Sequence, residues 1–266
     1  MSEVSSNGSA YELSGPADAP VIVLIHGLGL NRHVWDSYAS RLAHRYRVLN
    51  YDLFGHGETV PPPEIPTLTL FSEQLLGLLD ELAIDRCSMI GFSLGGMINR
   101  RFAIDHPERL RALAILNSPH EREPEAQKLV EQRALDSAAG GPAATLDATI
   151  ERWFTAEFRA AHPEYIATVR EWVLANDPES YALCRQVLAF GVVELIRPQP
   201  PISHPTLIMT CENDSGSTPE MSQAIASEIK GSQVIVVPGL QHMGLVENPS
   251  FFITALVDFL QELADA

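Results

Sequence analysis

The chain predicts an α/β fold: a mostly parallel central sheet flanked by helices, with an all-helical segment inserted late in the sheet. Three observations carry this. Short apolar runs alternate strictly with helix-spaced stretches from Val21 to Leu116. The alternation stops at His120, and residues 121–197 show helical periodicity with no convincing strand. The strand–helix rhythm then resumes after Pro198-Gln199-Pro200-Pro201. One core, residues 1–120 and 198–266, carrying a helical cap at 121–197, is a better division than two independent domains.

Each element has its own reason. Residues 1–10 are polar and small and read as a frayed end; with no basic region before an apolar core, they are no signal peptide. Tyr11-Glu12-Leu13 precedes a Gly15-Pro16-Ala17-Asp18 turn and reads as one short strand. Val21 to Ile25 is a β-branched and Leu run, the signature of a strand buried on both faces, and it ends in His26-Gly27-Leu28-Gly29. From Asn31 to His44, Val34, Trp35, Tyr38 and Leu42 make a helical stripe. Arg47 to Tyr51 is the next strand, and Pro61-Pro62-Pro63 with Pro66 a stiff surface loop. Thr67 to Ala83 is a helix presenting Leu70, Leu75, Leu78, Leu79 and Leu82 to the core.

Cys87 to Ile90 is a strand, Leu94 to Asp105 a helix stopped by Pro107, and Leu110 to Leu116 a strand. The inserted segment reads as four helices, Glu125–Ala138, Ala143–Phe158, Pro163–Leu174 and Pro178–Val193, punctuated by Gly140-Gly141-Pro142, His162-Pro163 and Asp177-Pro178. Thr206–Thr210 and Val234–Val237 are the last strands, Pro219–Lys230 and Pro249–Leu263 the last helices.

Composition narrows the function. With 34 acidic against 18 basic residues the formal net charge is −16, which argues against nucleic acid or an anionic membrane as partner. No apolar run approaches the roughly 20 residues of a membrane span. Cys87, Cys184 and Cys211 are far apart and odd in number; two of them lie in apolar runs and read as buried free thiols, and a reducing, cytoplasmic setting fits best. Neither a Cys-x-x-Cys pair nor a histidine cluster is present, so no metal or organic cofactor is expected.

The chemistry centres on Gly91-Phe92-Ser93-Leu94-Gly95, which fits Gly-x-Ser-x-Gly between a strand and a helix. A serine on such a sharp turn projects its hydroxyl above the sheet, and glycines flank it because side chains would collide across the turn. Serine is a weak nucleophile and needs a base, which in turn needs an orienting acid. Both belong just after later strands of a parallel sheet. Asn117 follows one strand and cannot serve as the acid; Asp214 follows Thr206–Thr210, and His242 follows Val234–Val237. The order Ser93, Asp214, His242 is the one this architecture uses, while His106, His120, His162 and His204 follow no late strand.

With these residues in place, the chain resembles the α/β-hydrolase family over residues 20–120 and 198–266. The marks are His26-Gly27-Leu28-Gly29, the serine turn, the Asp214 loop with Thr218-Pro219, and His242 followed by Glu247-Asn248-Pro249. The resemblance implies an oxyanion hole from the backbone N–H groups of Leu28 and Leu94, with Asp214 preferred over Glu212 as the acid. It gives His26 and His56 bracing roles. The family usually has Asp-x-Arg-Gly-His-Gly where this chain has Asp52-Leu53-Phe54-Gly55-His56-Gly57, so whatever that arginine braces is held differently here.

The segment Arg152-Trp153-Phe154-Thr155-Ala156-Glu157-Phe158, with Asn176 to Tyr181, is similar to 3-oxoadipate enol-lactonases, which open a small carboxylated lactone in aromatic catabolism. The expected reaction is cleavage of a small ester or lactone through an acyl-enzyme, by a monomer or homodimer. C–C hydrolases of meta-cleavage pathways often place Trp after the histidine, where this chain has Met243. A broad carboxylesterase and a receptor-like binding protein on the same fold also stay open. Trp153 is the expected pocket wall. An anionic substrate needs a cation, for which Arg133, Arg152, Arg170, Arg185 and Arg197 are on offer.

Overall fold

The computed structural model describes residues 2–265. Its strands β1 (Glu3–Val4), β2 (Ala10–Ser14), β3 (Val21–Ile25), β4 (Arg47–Tyr51), β5 (Cys87–Phe92), β6 (Leu110–Leu116), β7 (Thr206–Cys211) and β8 (Gln233–Val237) form one sheet in the order β1-β2-β4-β3-β5-β6-β7-β8. The first two pairings are antiparallel and the rest parallel. Every residue of β3, β5 and β7 is buried. Because alternate side chains point to opposite faces, these strands are covered on both sides, as their apolar runs require.

The covering helices are α1 (Asp36–Leu42), α2 (Leu68–Glu81), α3 (Leu94–Asp105), α4 (Pro124–Gly140), α5 (Leu146–Trp153), α6 (Ala156–Ala161), α7 (Pro163–Ala175), α8 (Pro178–Phe190), α9 (Pro219–Glu228), α10 (Gly244–Glu247) and α11 (Pro249–Asp265). Helix α2 shows why such a segment is helical. Thr67 caps its first turn by accepting from the Leu70 N–H, and Phe71, Leu75, Leu78 and Leu79 are fully buried along one stripe. Each such burial contributes about 1.5–3 kcal/mol. Leu70 and Leu82 lie partly buried at its edge.

Parallel pairing brings the strand ends into line. Ile25 of β3 sits beside Gly91 of β5, which sits beside Ile115 of β6, and Leu116 pairs with Met209 of β7. The loops that follow β3, β5, β6, β7 and β8 therefore emerge on one edge.

Four sequence expectations change in detail. The N-terminal stretch is ordered from residue 2: β1 pairs with β2, and the turn between them is closed by Ser5 Oγ donating to Asn7 Oδ1 and by the Ser9 N–H donating to Ser5 Oγ. Asn7-Gly8, with Gly8 at φ 80°, is the turn signal there. Met1 lies outside the described residues. The stretch 31–44 opens as a 3-10 turn, Arg32–Trp35, before α1. The expected helix 143–158 breaks into a 3-10 turn and two helices, because Phe154 is extended (φ −120°, ψ 142°) and Thr155 caps α6 by accepting from the Phe158 N–H. Helix α8 ends at Phe190 and continues as a 3-10 turn, Gly191–Leu195. Between His120 and Arg197 the elements are all helical, as the periodicity predicts. Among the described residues no helix is long and apolar enough to cross a membrane.

Candidate active site

Ser93 closes β5 and opens α3 with φ 56° and ψ −112°, a conformation an L-residue adopts only under constraint. The constraint is visible around it. A Cβ on Gly95 would lie 2.2 Å from the Ile25 carbonyl oxygen, and one on Gly91 2.2 Å from that of Gly95, so both positions accept hydrogen alone. The Ser93 N–H donates to the Leu116 carbonyl (2.9 Å), and Ser118 Oγ donates to the Ser93 carbonyl (2.9 Å). Buried Arg100 steadies that loop by donating to Ser118 Oγ and the Pro119 carbonyl.

His242 reaches the serine from the loop after β8. Its Nε2 lies 3.1 Å from Ser93 Oγ and its Nδ1 2.6 Å from Asp214 Oδ2. A carboxylate at Nδ1 fixes the ring proton there and leaves Nε2 free to accept from the serine hydroxyl. The imidazole packs between Phe92 (ring centroids 4.9 Å apart) and Trp153 (6.0 Å).

Asp214 is buried, and burial alone would push its carboxyl up. His242, the Asn117 side-chain amide (2.9 Å) and the Gly216 N–H (2.9 Å) together outweigh that and hold it below the usual carboxylate range. The Ser217 N–H adds a further donor at 3.0 Å. An acid so supplied stays ionised through a change of charge on the imidazole.

The Leu28 and Leu94 backbone N–H groups have no acceptor within the protein among the described residues. Gly27 and Leu28 line the cavity that contains Ser93 and His242. Beneath that loop His26 donates from Nδ1 to the Gly27 carbonyl (2.8 Å) and accepts at Nε2 from the Leu53 N–H (3.0 Å). The acceptance at Nε2 requires the neutral ring, and burial pushes its pKa down. Burial and His26 drive His56 down to about 3. Arg32, itself buried, pairs with buried Asp52 and with the exposed Glu58.

The cavity at Ser93 is small, about 60 Å³. Its far side comes from the helical insertion: Trp153 and Arg152 of α5, Arg133 of α4 and Arg185 of α8. Gly216 makes room for one of them, since a Cβ there would lie 2.9 Å from Arg152 Nη1. Arg170 instead pairs with Asp147 on the surface, and the Arg197 N–H is tied to Glu228, so neither belongs to this cavity.

A model described as the alpha/beta hydrolase family matches residues 22–255. The chain belongs to that family. It is 30% identical to 3-oxoadipate enol-lactonase 2 of Acinetobacter baylyi over 250 residues, covering 91% of this chain and 89% of that one. It is also 30% identical, over 95% of its length and 96% of the relative, to RutD of Stutzerimonas stutzeri, provisionally named a carbamate hydrolase. Among solved structures, the enol-lactonase from Burkholderia xenovorans LB400 superposes with a TM-score of 0.87 at 30% identity, covering 96% of this chain and 98% of that one.

The fold thus gathers Ser93, His242, Leu28 and Trp153 at one cavity of this hydrolase, with Asp214 behind His242 and Leu94 directly after the serine. Sequence reading named Asn117 only to exclude it as the acid and gave it no role beside Asp214; its place directly after β6 was the available signal. It also gave no role to Glu247, which accepts from the Thr155 N–H (2.9 Å) and Thr155 Oγ1 (2.5 Å).

Proposed function

We propose that this hydrolase cleaves a small ester or lactone through a covalent acyl-enzyme, with Ser93 as nucleophile, His242 as general base and Asp214 as the acid that orients it. The carrying observation is the unbroken chain Ser93 Oγ, His242 Nε2, His242 Nδ1, Asp214 Oδ2 with links of 3.1 and 2.6 Å. Ser93 Oγ attacks the carbonyl carbon as its proton passes to His242 Nε2, and Asp214 offsets the charge on the imidazolium. The Leu28 and Leu94 N–H groups receive the oxyanion, each worth about 3 kcal/mol in the transition state. His242 returns its proton to the leaving oxygen, then takes one from water, and the resulting hydroxide releases the acid and restores Ser93.

Residues 121–197 act in this reading as a cap that closes the cavity and sets the substrate. The enol-lactonase relatives and the arginines around the cavity support a lactone or ester bearing a carboxylate, of the 3-oxoadipate enol-lactone type. A guanidinium offsets the hydration a carboxylate loses on entering so small a space. The RutD relative makes a small carbamate the second reading, with the same serine chemistry at its carbonyl. A cytoplasmic setting agrees with three buried free cysteines.

A panel of small lactones, aryl esters and carbamates tests the reading with wild-type protein and Ser93→Ala. The expected result is Ser93-dependent turnover of at least one carboxylated lactone or ester, and a phosphonate adduct on Ser93. Equal turnover by Ser93→Ala would overturn it.

A further inference from the structure

The other buried guanidinium groups each have a carboxylate or carbonyl acceptor, although the Nε atoms of Arg32 and Arg122 have none among the described residues. Arg32 meets Asp52 and Glu58, while Arg100 and Arg122 donate to main-chain carbonyls. The three arginines at the cavity are treated differently. Among the described residues, no carboxylate comes within 4.0 Å of Arg133, Arg152 or Arg185. Among the described residues the Arg152 guanidinium has no hydrogen-bond acceptor, and burial and then Arg133 push its pKa down to about 10. Arg185 is buried, donating to Tyr181 Oη at 2.7 Å and to Thr145 Oγ1 at 3.4 Å with its guanidinium carbon 5.3 Å from the Tyr181 ring centroid, so its partners among the described residues are neutral hydroxyls.

The charge count is then informative. Three guanidinium groups face one cavity in a protein of net charge −16. The neighbouring acid, Asp214, is taken up by His242, Asn117, Gly216 and Ser217. One substrate carboxylate would leave an excess of two positive charges, an arrangement that low local dielectric makes costly. Arg152 above Gly216 and Arg185 on Tyr181 are anchored on different helices, so they offer separate donor sets rather than one.

We propose that the substrate carries two negative charges besides the carbonyl that is cleaved, one met by Arg152 and the other by Arg185, with Arg133 adding to both. The preferred substrate is thereby the lactone or monoester of a tri-acid, or one bearing a single dianionic group. This rests on the serine-hydrolase reading and goes beyond a monocarboxylate lactone, in which one acid is tied up in the ring and one charge remains.

The test compares four esters with wild-type protein: ethyl acetate (neutral), monoethyl succinate (one charge), monoethyl tricarballylate (two carboxylates) and ethyl phosphonoacetate (two charges on one group). The kcat/KM is expected to rise at least tenfold from neutral to one charge and at least tenfold again to two. Whichever doubly charged ester leads says whether the charges sit on two groups or one. Arg185→Gln is expected to bring the ratio of doubly to singly charged ester to near 1, with Arg185→Lys restoring part of it. A ratio needs only the folded fraction, and thermal stabilisation of wild-type protein by tricarballylate over acetate gives a reading with no variant. Ser93-dependent turnover with equal kcat/KM for one and two charges overturns the charge proposal and leaves the hydrolase reading standing. Stabilisation by tricarballylate without any Ser93-dependent turnover does the reverse. Neither turnover nor stabilisation overturns both.

Discussion

The Met243 N–H donates to the Trp153 carbonyl at 2.8 Å. This single bond joins the last residue of α5, in the helical insertion, to the residue after His242. Two residues on, Thr155 gives its N–H and hydroxyl to both carboxylate oxygens of Glu247. His242 and the cavity wall opposite it are thus fixed to each other directly, and the Trp153 ring rests against the imidazole.

Breaking this clasp is expected to misplace the base more than it weakens the fold. Glu247→Ala strands the two Thr155 donors beside partly exposed surface, a loss of about 1–3 kcal/mol. Turnover should fall about tenfold to a hundredfold with a smaller change in KM, because a shift of about 1 Å at a reacting group is enough for that. Steady-state kinetics alongside thermal melts separate the two effects. Unchanged kcat with a lowered melting temperature would show that the clasp is structural only.

Asn117 should act through Asp214. Its amide donates to the same oxygen, Oδ2, that receives the His242 proton donor. Asn117→Leu removes one of the bonds holding the carboxyl below its ordinary range, so the acid is expected to protonate at higher pH. The acid limb of the kcat profile should shift upward and kcat at neutral pH should fall several-fold, while KM moves little. A pH–rate profile identical to that of the wild type would remove Asn117 from the chain of contacts.

The strand bounds at Val21–Ile25, Arg47–Tyr51 and Leu110–Leu116 were legible because strands buried over all or nearly all their length must be written as largely apolar runs, and chain order then fixed where Ser93, Asp214 and His242 emerge. The helix break at Phe154 was not legible. Periodicity continues across it, and what interrupts the helix is a distant carboxylate, Glu247, seizing the Thr155 donors. The same limit applies to the arginines. Arg152, Arg170 and Arg185 have similar helical surroundings in sequence, and only packing puts two in the cavity and leaves one paired with Asp147 outside.

Gly216 offers a way to perturb the anion side without touching an arginine. A methyl group there meets the flexible end of Arg152 and no backbone closer than ordinary contact, so Gly216→Ala should alter stability by no more than about 1 kcal/mol. Displacing the Arg152 guanidinium is expected to raise KM for a carboxylated substrate about tenfold while a neutral ester is affected much less. Equal effects on both substrates would mean that the alanine disturbs the adjoining Asp214 loop instead.

The two buried imidazoles under the Leu28 loop make stability fall on acidification. His26 and His56 are held neutral, their ring centroids 5.3 Å apart, and burial lowers both pKa values, that of His56 to about 3. Between about pH 6.5, the unfolded value, and pH 3 the unfolded chain therefore binds more protons than the folded one. Unfolding free energy rises with pH across that window: it is fully present above pH 6.5 and is lost progressively as pH falls toward 3. The loss attributable to His56 is on the order of a few kcal/mol. Urea titrations of wild-type protein and His56→Gln at several pH values from 4 to 8 check this. The variant is expected to start less stable at pH 7.5 and to lose less on acidification, and parallel slopes for the two proteins would place the acid sensitivity elsewhere.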